Sequence, residues 1–383
     1  MRRLLPSFLV LLACSGGATS PITPPPASTS TTVAPTTTQP FLDGAPDGWS
    51  EAVAGVYGQV CQGDLAYRPE ALADLPEPSS CPRGTSAHAV IGEQTLAVAV
   101  LGEDIIYGVG EEGSFAVVAA RLPSLGQDRG WYGTVPKLIA VVGSDARPGE
   151  DTAHSRGDSI HLVGLDGLGS GGVLGIPRDS WVPIASGGEN KINAALALGG
   201  PEAMLATLAD TSELPLQGIV VTGFEGFVNI WDEALQGAEV NIPLDISDTA
   251  AKADFEAGLQ TLDGTQALAF SRTRKTLSGG DLTRQYHGGV VLLAALAKAQ
   301  STGPQMLPEM LAASAPWLVT DLSWAELLSW SALALDTPVE AIGNAVVPAR
   351  IGSVGSASVV FLTGDAPEVF AELADGSFPP ESG

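Results

Sequence analysis

The chain has 383 residues, 45% of them hydrophobic, and a formal net charge of −25. That apolar content can build a core for one large domain, or for a large and a small one, and the acidity argues against general affinity for nucleic acid. Nine of the 18 Lys and Arg residues nevertheless lie between Arg147 and Arg284. Cations gathered in one region of an acidic chain point to a bound anion there, with surface ion pairing as the plain alternative.

Arg2 and Arg3 precede an apolar run, residues 4–13, which ends at Cys14. The run is about half of the roughly 20 apolar residues that a membrane span requires. It predicts a lipoprotein-type signal peptide over residues 1–14, with Cys14 lipidated as the first mature residue and anchoring the chain to the outer face of the membrane. Simple secretion and an uncleaved anchor are the alternatives. Residues 15–40 are almost entirely Ser, Thr, Pro, Ala and Gly, the composition of an extended linker. Beyond it, Cys61 and Cys81 have no competing cysteine in a space that should be oxidising, which predicts a disulfide between them, with two buried thiols as the alternative.

Residues 41–130 alternate short apolar runs with turn residues, and 95–101, 105–109 and 114–120 are expected as strands of an accessory strand-rich region. The next region changes character. The apolar run 137–143 stops at Ser144-Asp145-Ala146-Arg147, the pattern of a buried strand delivering polar residues at its end. A second run, 159–165, follows Arg156 and Asp158, and a third, 172–176, stops at Pro177-Arg178-Asp179. Three strands each place an Arg and an Asp near one end, and three unrelated surface loops would rarely select the same residue types.

Lys191 and Asn193 precede a helix expected over 194–209, broken at Gly199-Gly200-Pro201. Strands are expected at 219–223 and 238–242, with a helix over 224–235 between them. Gln266-Ala267-Leu268-Ala269-Phe270 then leads into Ser271-Arg272-Thr273-Arg274-Lys275, where an extended backbone would point Arg272 and Arg274 to one face. Asp281 and Arg284, three apart, open a helix expected to run to about Ala299.

Six segments in this order resemble the LytR-CpsA-Psr family: G-S-D-A-R (143–147), R-G-D-S (156–159), I-P-R-D-S (176–180), K-I-N-A-A with G-G-P-E (191–202), D-G-T-Q-A-L-A-F-S-R-T-R (263–274) and G-D-L-T-R (280–284). Together they span about 165 residues, a far more specific signal than one short motif. The resemblance implies an α/β fold, a mixed central sheet flanked by helices as an α/β/α sandwich over 137–376, with the strand-rich region as an N-terminal extension. It also implies an extracytoplasmic phosphotransferase that takes a glycan from a polyprenyl-pyrophosphate carrier and joins it to a wall polymer such as peptidoglycan.

By resemblance, Asp145 and Asp158 are expected to hold Mg²⁺, and Arg156, Arg178, Arg272, Arg274 and Arg284 to bind pyrophosphate with Lys191 in support. Arg178, Asp179 and Asp281 are the expected catalytic residues; Asp179 and Asp281 are alternatives as the base, and either could instead orient an arginine. The family commonly continues its last motif with Arg and then Gln, where this chain has His287 and Gly288; Gly157 and Ser159 stand for the usual Ser and Thr. The Ala- and Leu-rich helices at 194–209 and 290–299 are candidate walls of a slot for the lipid, or simply core helices. A hydrolase releasing the carrier and a non-catalytic binder of the glycan lipid are the other functions open to these residues.

Overall fold

The computed structural model describes residues 41–274 and 281–379, which belong to one compact unit. The expected signal peptide with Cys14 and the expected linker lie outside the described residues.

The chain opens with β1 (Leu42–Asp43) and helix α1 (Trp49–Tyr57), followed by β2 (Gly84–Ile91), β3 (Gln94–Leu101), β4 (Asp104–Glu111) and β5 (Ser114–Arg121). The order in the sheet is β1-β2-β3-β4-β5, and two-residue turns such as Glu112-Gly113 close the hairpins from β2 to β5. Both faces of this sheet are covered, which is why β3 reads as a continuous apolar run rather than an alternating one. Ala97, Ala99, Ile106 and Phe115 pack on Trp49, Val53 and Val56 of α1. Leu96, Val98, Tyr107 and Ala119 join the core that holds helices further along the chain. A disulfide joins Cys61 and Cys81 beside α1; closing a loop across a sequence separation of 20 restricts the unfolded chain by about 3 kcal/mol.

The central sheet starts with β6 (Lys137–Ser144), β7 (Gly157–Leu165) and β8 (Gly171–Gly175), which run antiparallel in succession. A hairpin of β9 (Trp181–Pro183) and β10 (Glu189–Lys191) leads into α2 (Ala194–Ser212), whose backbone breaks at Gly199 and Gly200 as expected. Then come β11 (Ile219–Thr222), α3 (Phe224–Asn229), the small strands β12 (Ala238–Ile242), β13 (Ile246–Asp248), β14 (Ala253–Phe255) and β15 (Gly258–Leu262), and α4 (Gly264–Ser271). The rest is α5 (Asp281–Thr302), α6 (Leu307–Ser314), β16 (Val319–Thr320), α7 (Trp324–Asp336), β17 (Ile342–Val346), the hairpin β18 (Ala349–Val354) and β19 (Ala357–Leu362), and α8 (Ala366–Glu372). The six central strands lie in the order β16-β11-β6-β7-β8-β17.

Alternation along β6 decides which helices lie on which face. Leu138, Ala140 and Val142 face α2 and α8, packing with Leu196, Met204, Leu208 and Phe370. Ile139 and Val141 face the other way, toward α5, α6 and α7. The result is the expected α/β/α sandwich. The accessory sheet packs on α6 and α7, so the extension shares a core with the helical layer rather than standing apart from it. Among the described residues no helix is long and apolar enough to cross a membrane.

Candidate functional site

Strand direction collects the polar motifs. Because β6 and β8 both run antiparallel to β7, the C-terminal ends of β6 and β8 meet the N-terminal end of β7 at one sheet edge; β11, parallel to β6, ends there too. Asp145 and Arg147, Arg156 and Asp158, and Arg178 and Asp179 are all carried to that edge. The register shifts there, since Gly143 opposes Ser159 while Ser144 opposes Gly157, making Asp158 the extra residue of a bulge. Such an irregularity re-aims a side chain that a regular strand would hold against its neighbours.

The motifs then lock to one another. Asp145 donates its N–H to the Arg156 carbonyl at 2.8 Å and accepts the Arg156 N–H on Oδ1 at 2.9 Å. The Arg178 guanidinium pairs with Asp158 Oδ1, and Lys191 Nζ sits 2.9 Å from Asp179 Oδ1. Asn193 makes no side-chain cap for α2; its backbone instead ties the second and third motifs together, accepting from Gly157 N–H and donating to the Arg178 carbonyl, both at 3.2 Å.

A cavity of about 100 Å³ opens among these ends, lined by Asp158, Ser159, Phe224, Arg272 and Arg284. Arg284, on the first turn of α5, is 3% exposed. Arg272 lies over the Phe224 ring, 4.5 Å from its centroid, a cation–π contact that holds an otherwise exposed guanidinium at the rim. The structure therefore brings Asp158, Arg272 and Arg284 to one cavity, holds Arg178 on Asp158 without its lining that cavity, ties Asp145 to Arg156, and leaves Lys191 paired with Asp179. The side chain of Asp281 lies outside the described ones.

Two expectations are corrected. The segment 266–270 is helical, within α4, and Arg272 closes that helix in an αR conformation instead of starting an extended strand. Arg272 and Arg274 consequently do not share a face by strand alternation: Arg274 is exposed, with its backbone N–H on Asp248 Oδ2 at 3.0 Å. The Asp263–Gln266 capping box starts α4 here, and Thr273 ends it by donating its hydroxyl to the Phe270 carbonyl at 2.8 Å.

Only one of the two expected lipid walls lines an apolar space. An apolar chamber of about 310 Å³ lies on the α5 side of the sheet, lined by Ile139, Val141, Leu292, Leu296 and Trp330. Helix α5 supplies its wall, whereas α2 packs on the opposite face of the sheet and does not line it. Val141 and Leu292 line both the chamber and the cationic cavity, so the two share a wall.

His161 and Gln285 were not singled out by their sequence positions. Gln285 is fully buried; its Oε1 accepts the Ile160 N–H at 3.2 Å and its Nε2 donates to the Asp158 carbonyl at 3.4 Å. His161 Nε2 lies 2.8 Å from the Gln285 carbonyl, which fixes that nitrogen as the donor and leaves Nδ1 to accept from the Ser159 hydroxyl, 3.3 Å away. Three hydrogen bonds thus tie the strand carrying Asp158 to the helix turn carrying Arg284. Burial depresses the His161 pKa to about 4. Gly288 makes this possible, since a Cβ there would stand 2.5 Å from His161 Cε1. The signal for His161 was one histidine inside an otherwise apolar run. His287 packs in the core, stacked on Phe270 with centroids 4.5 Å apart and Nδ1 2.7 Å from Thr273 Oγ1; it does not line the cavity.

A mixed α/β/α sandwich with an arginine- and aspartate-lined cavity beside an apolar chamber defines the structural class of the chain. The LytR_cpsA_psr family model matches residues 130–372, and the chain belongs to that family. It is 33% identical over 180 residues to the probable cell wall biosynthesis protein LcpB of Corynebacterium glutamicum, covering 44% of this chain and 43% of that protein. It is likewise 33% identical over 172 residues to the polyisoprenyl-teichoic acid–peptidoglycan teichoic acid transferase TagT of Bacillus subtilis, covering 43% of this chain and 52% of that protein. The chain thus spans about half the length of the curated relatives it matches. The crystal structure of B. subtilis TagT superposes with a TM-score of 0.51 at 25% identity, covering 63% of this chain and 91% of TagT.

Proposed function

We propose that the chain is an extracytoplasmic phosphotransferase that moves a glycan phosphate from a polyprenyl-pyrophosphate carrier to a cell-wall polymer such as peptidoglycan. The wall shared by the cationic cavity and the apolar chamber carries this reading, because a charged head joined to a long hydrocarbon tail suits that pair of spaces. The activity stated in the name of TagT supports it.

Arg178, Arg272 and Arg284 are the pyrophosphate donors in this mechanism, with Arg156, Arg274 and Lys191 adding positive charge around them. Arg284 acts from a nearly water-free position, where a fixed charge is worth more than at the surface. The acceptor hydroxyl forms a bond to the glycan-side phosphorus as the bond from that phosphorus to the bridging oxygen breaks. The electron pair leaves with prenyl phosphate, and the hydroxyl proton passes to Asp179 or Asp281.

Asp145 and Asp158 would hold Mg²⁺. Each carboxylate has Oδ1 engaged, by the Arg156 N–H and by Arg178 respectively, which leaves an oxygen of each for a cation. Two carboxylates supplemented by substrate phosphate and water fit Mg²⁺, which rarely takes a cage made wholly of protein. When bound, the ion supplies positive charge to the phosphate oxygens.

Cys14 would carry the lipid that holds the protein at the outer membrane face; mass spectrometry of membrane-extracted protein should find a diacylated N-terminal cysteine, and an unmodified one would refute the anchor. The activity is tested by incubating the full chain with a polyprenyl-pyrophosphate oligosaccharide, with and without peptidoglycan fragments. The expected product is sugar phosphate on the fragment. Free sugar phosphate alone would replace transfer by hydrolysis, and bound but unchanged lipid would reduce the protein to a binder.

A further inference from the structure

Three spaces follow one another along β6. Ile139 and Val141 line the apolar chamber, Val141 to Ser144 line the cationic cavity, and Ala146 and Arg147, just past the strand end, line a third cleft of about 210 Å³. Gly223, at the end of β11, belongs to both the cavity and this cleft. The remaining walls are Glu150 and Thr152 from the loop after β6, Glu225 on α3, and Trp317 in the segment before β16.

The cleft is held in shape from three sides. Phe224 N–H donates to the Ala146 carbonyl at 3.2 Å, closing the loop onto the start of α3. This approach requires glycine at 223, where a Cβ would stand 2.9 Å from Thr152 Oγ1. The Thr222 hydroxyl donates to the Trp317 carbonyl at 3.0 Å and fixes the backbone of the aromatic wall.

Building on the transfer reaction above, we propose that this cleft binds a sugar ring of the acceptor polymer. Its chemistry suits a pyranose: the Trp317 indole offers a flat apolar wall, while Arg147, Glu150, Thr152 and Glu225 offer donors and acceptors for hydroxyls. Its position selects the acceptor over the donor. In an in-line displacement the nucleophile enters opposite the leaving group, and prenyl phosphate leaves toward the chamber at Ile139 and Val141. The opposite side of the cavity along β6 is the side of Ala146 and Arg147.

Steady-state kinetics of the full chain with a polyprenyl-pyrophosphate oligosaccharide and a soluble peptidoglycan glycan fragment test this. Trp317→Ala and, on the exposed surface, Glu225→Gln should each raise the acceptor KM, Trp317→Ala by about tenfold, while the donor KM moves less than about twofold. Trp317→Phe should recover most of the loss. An acceptor KM unchanged in both variants overturns the assignment, and so does a shift confined to the donor KM, which would give the cleft to the donor's first sugar. Absence of any transfer by the unsubstituted chain overturns the transferase reading itself, a result distinct from either.

Discussion

Replacing Arg178 with Ala should lower glycan transfer by about a thousandfold while the protein stays folded. Arg178 sits three residues past β8 with its guanidinium on Asp158, and both side chains are 19% exposed. Removing it takes away one fork of positive charge from the phosphate oxygens that gain charge as the bond changes, and leaves Asp158 without its guanidinium partner. The two effects act in the same direction. Stability should fall by about 1–3 kcal/mol, because the pair is mostly buried and Asp158 loses a charged partner. The backbone carbonyl of Arg178, which holds Asn193, is kept in any variant. Arg178→Lys should restore only part of the loss, since an ammonium is a point charge without the planar fork that matches two phosphate oxygens. Transfer by Arg178→Ala within tenfold of the unsubstituted rate, in a variant that still unfolds cooperatively, would remove Arg178 from the site.

The strands that end in the motifs were legible because unbroken apolar runs are rare and each stopped at a polar pair. The runs at 137–143, 159–165 and 172–176 are β6, β7 and β8 to within two residues at each end. What could not be read was how they pair. The antiparallel order that brings Asp145, Asp158 and Arg178 to one edge is a long-range property, and repeating residue types only hinted at it. Local pattern also misassigned the Arg272 segment: alternating arginines suggest a strand, but the capping box at Asp263 and Gln266 extends helix α4 to Ser271. The helix α1 was missed among strand-like runs, and the place of α2 depended on which face of β6 it meets. His161 and Gln285 were illegible for the same reason. Their importance lies in contacts across more than a hundred residues, and one histidine in an apolar strand is ordinarily a core residue.

Those buried imidazoles make the second large expected effect, a loss of stability in mild acid. Burial depresses His161 and His287 to about 4 from the ordinary value of 6.5, so between those limits the unfolded chain binds protons that the folded chain refuses. Stability is therefore complete above pH 6.5 and is lost as pH falls toward 4, by about 3 kcal/mol per histidine at full effect. Among the described residues neither ring has a carboxylate hydrogen-bonded to it that would favour its charge: His161 meets Ser159 and the Gln285 carbonyl, and His287 meets Thr273, Phe270 and Tyr286. Protonated His161 would also place a cation on the same cavity wall as Arg284. The latch between β7 and α5 should open first, so transfer activity should fall at a higher pH than the global unfolding transition. Urea titrations from pH 7 to 4 measure the slope, and His287→Gln and His161→Gln should each make it shallower even if they lower stability throughout. A stability that stays flat across this window, or a slope that neither substitution alters, would mean that the two rings exchange protons as freely in the folded chain as in the unfolded one.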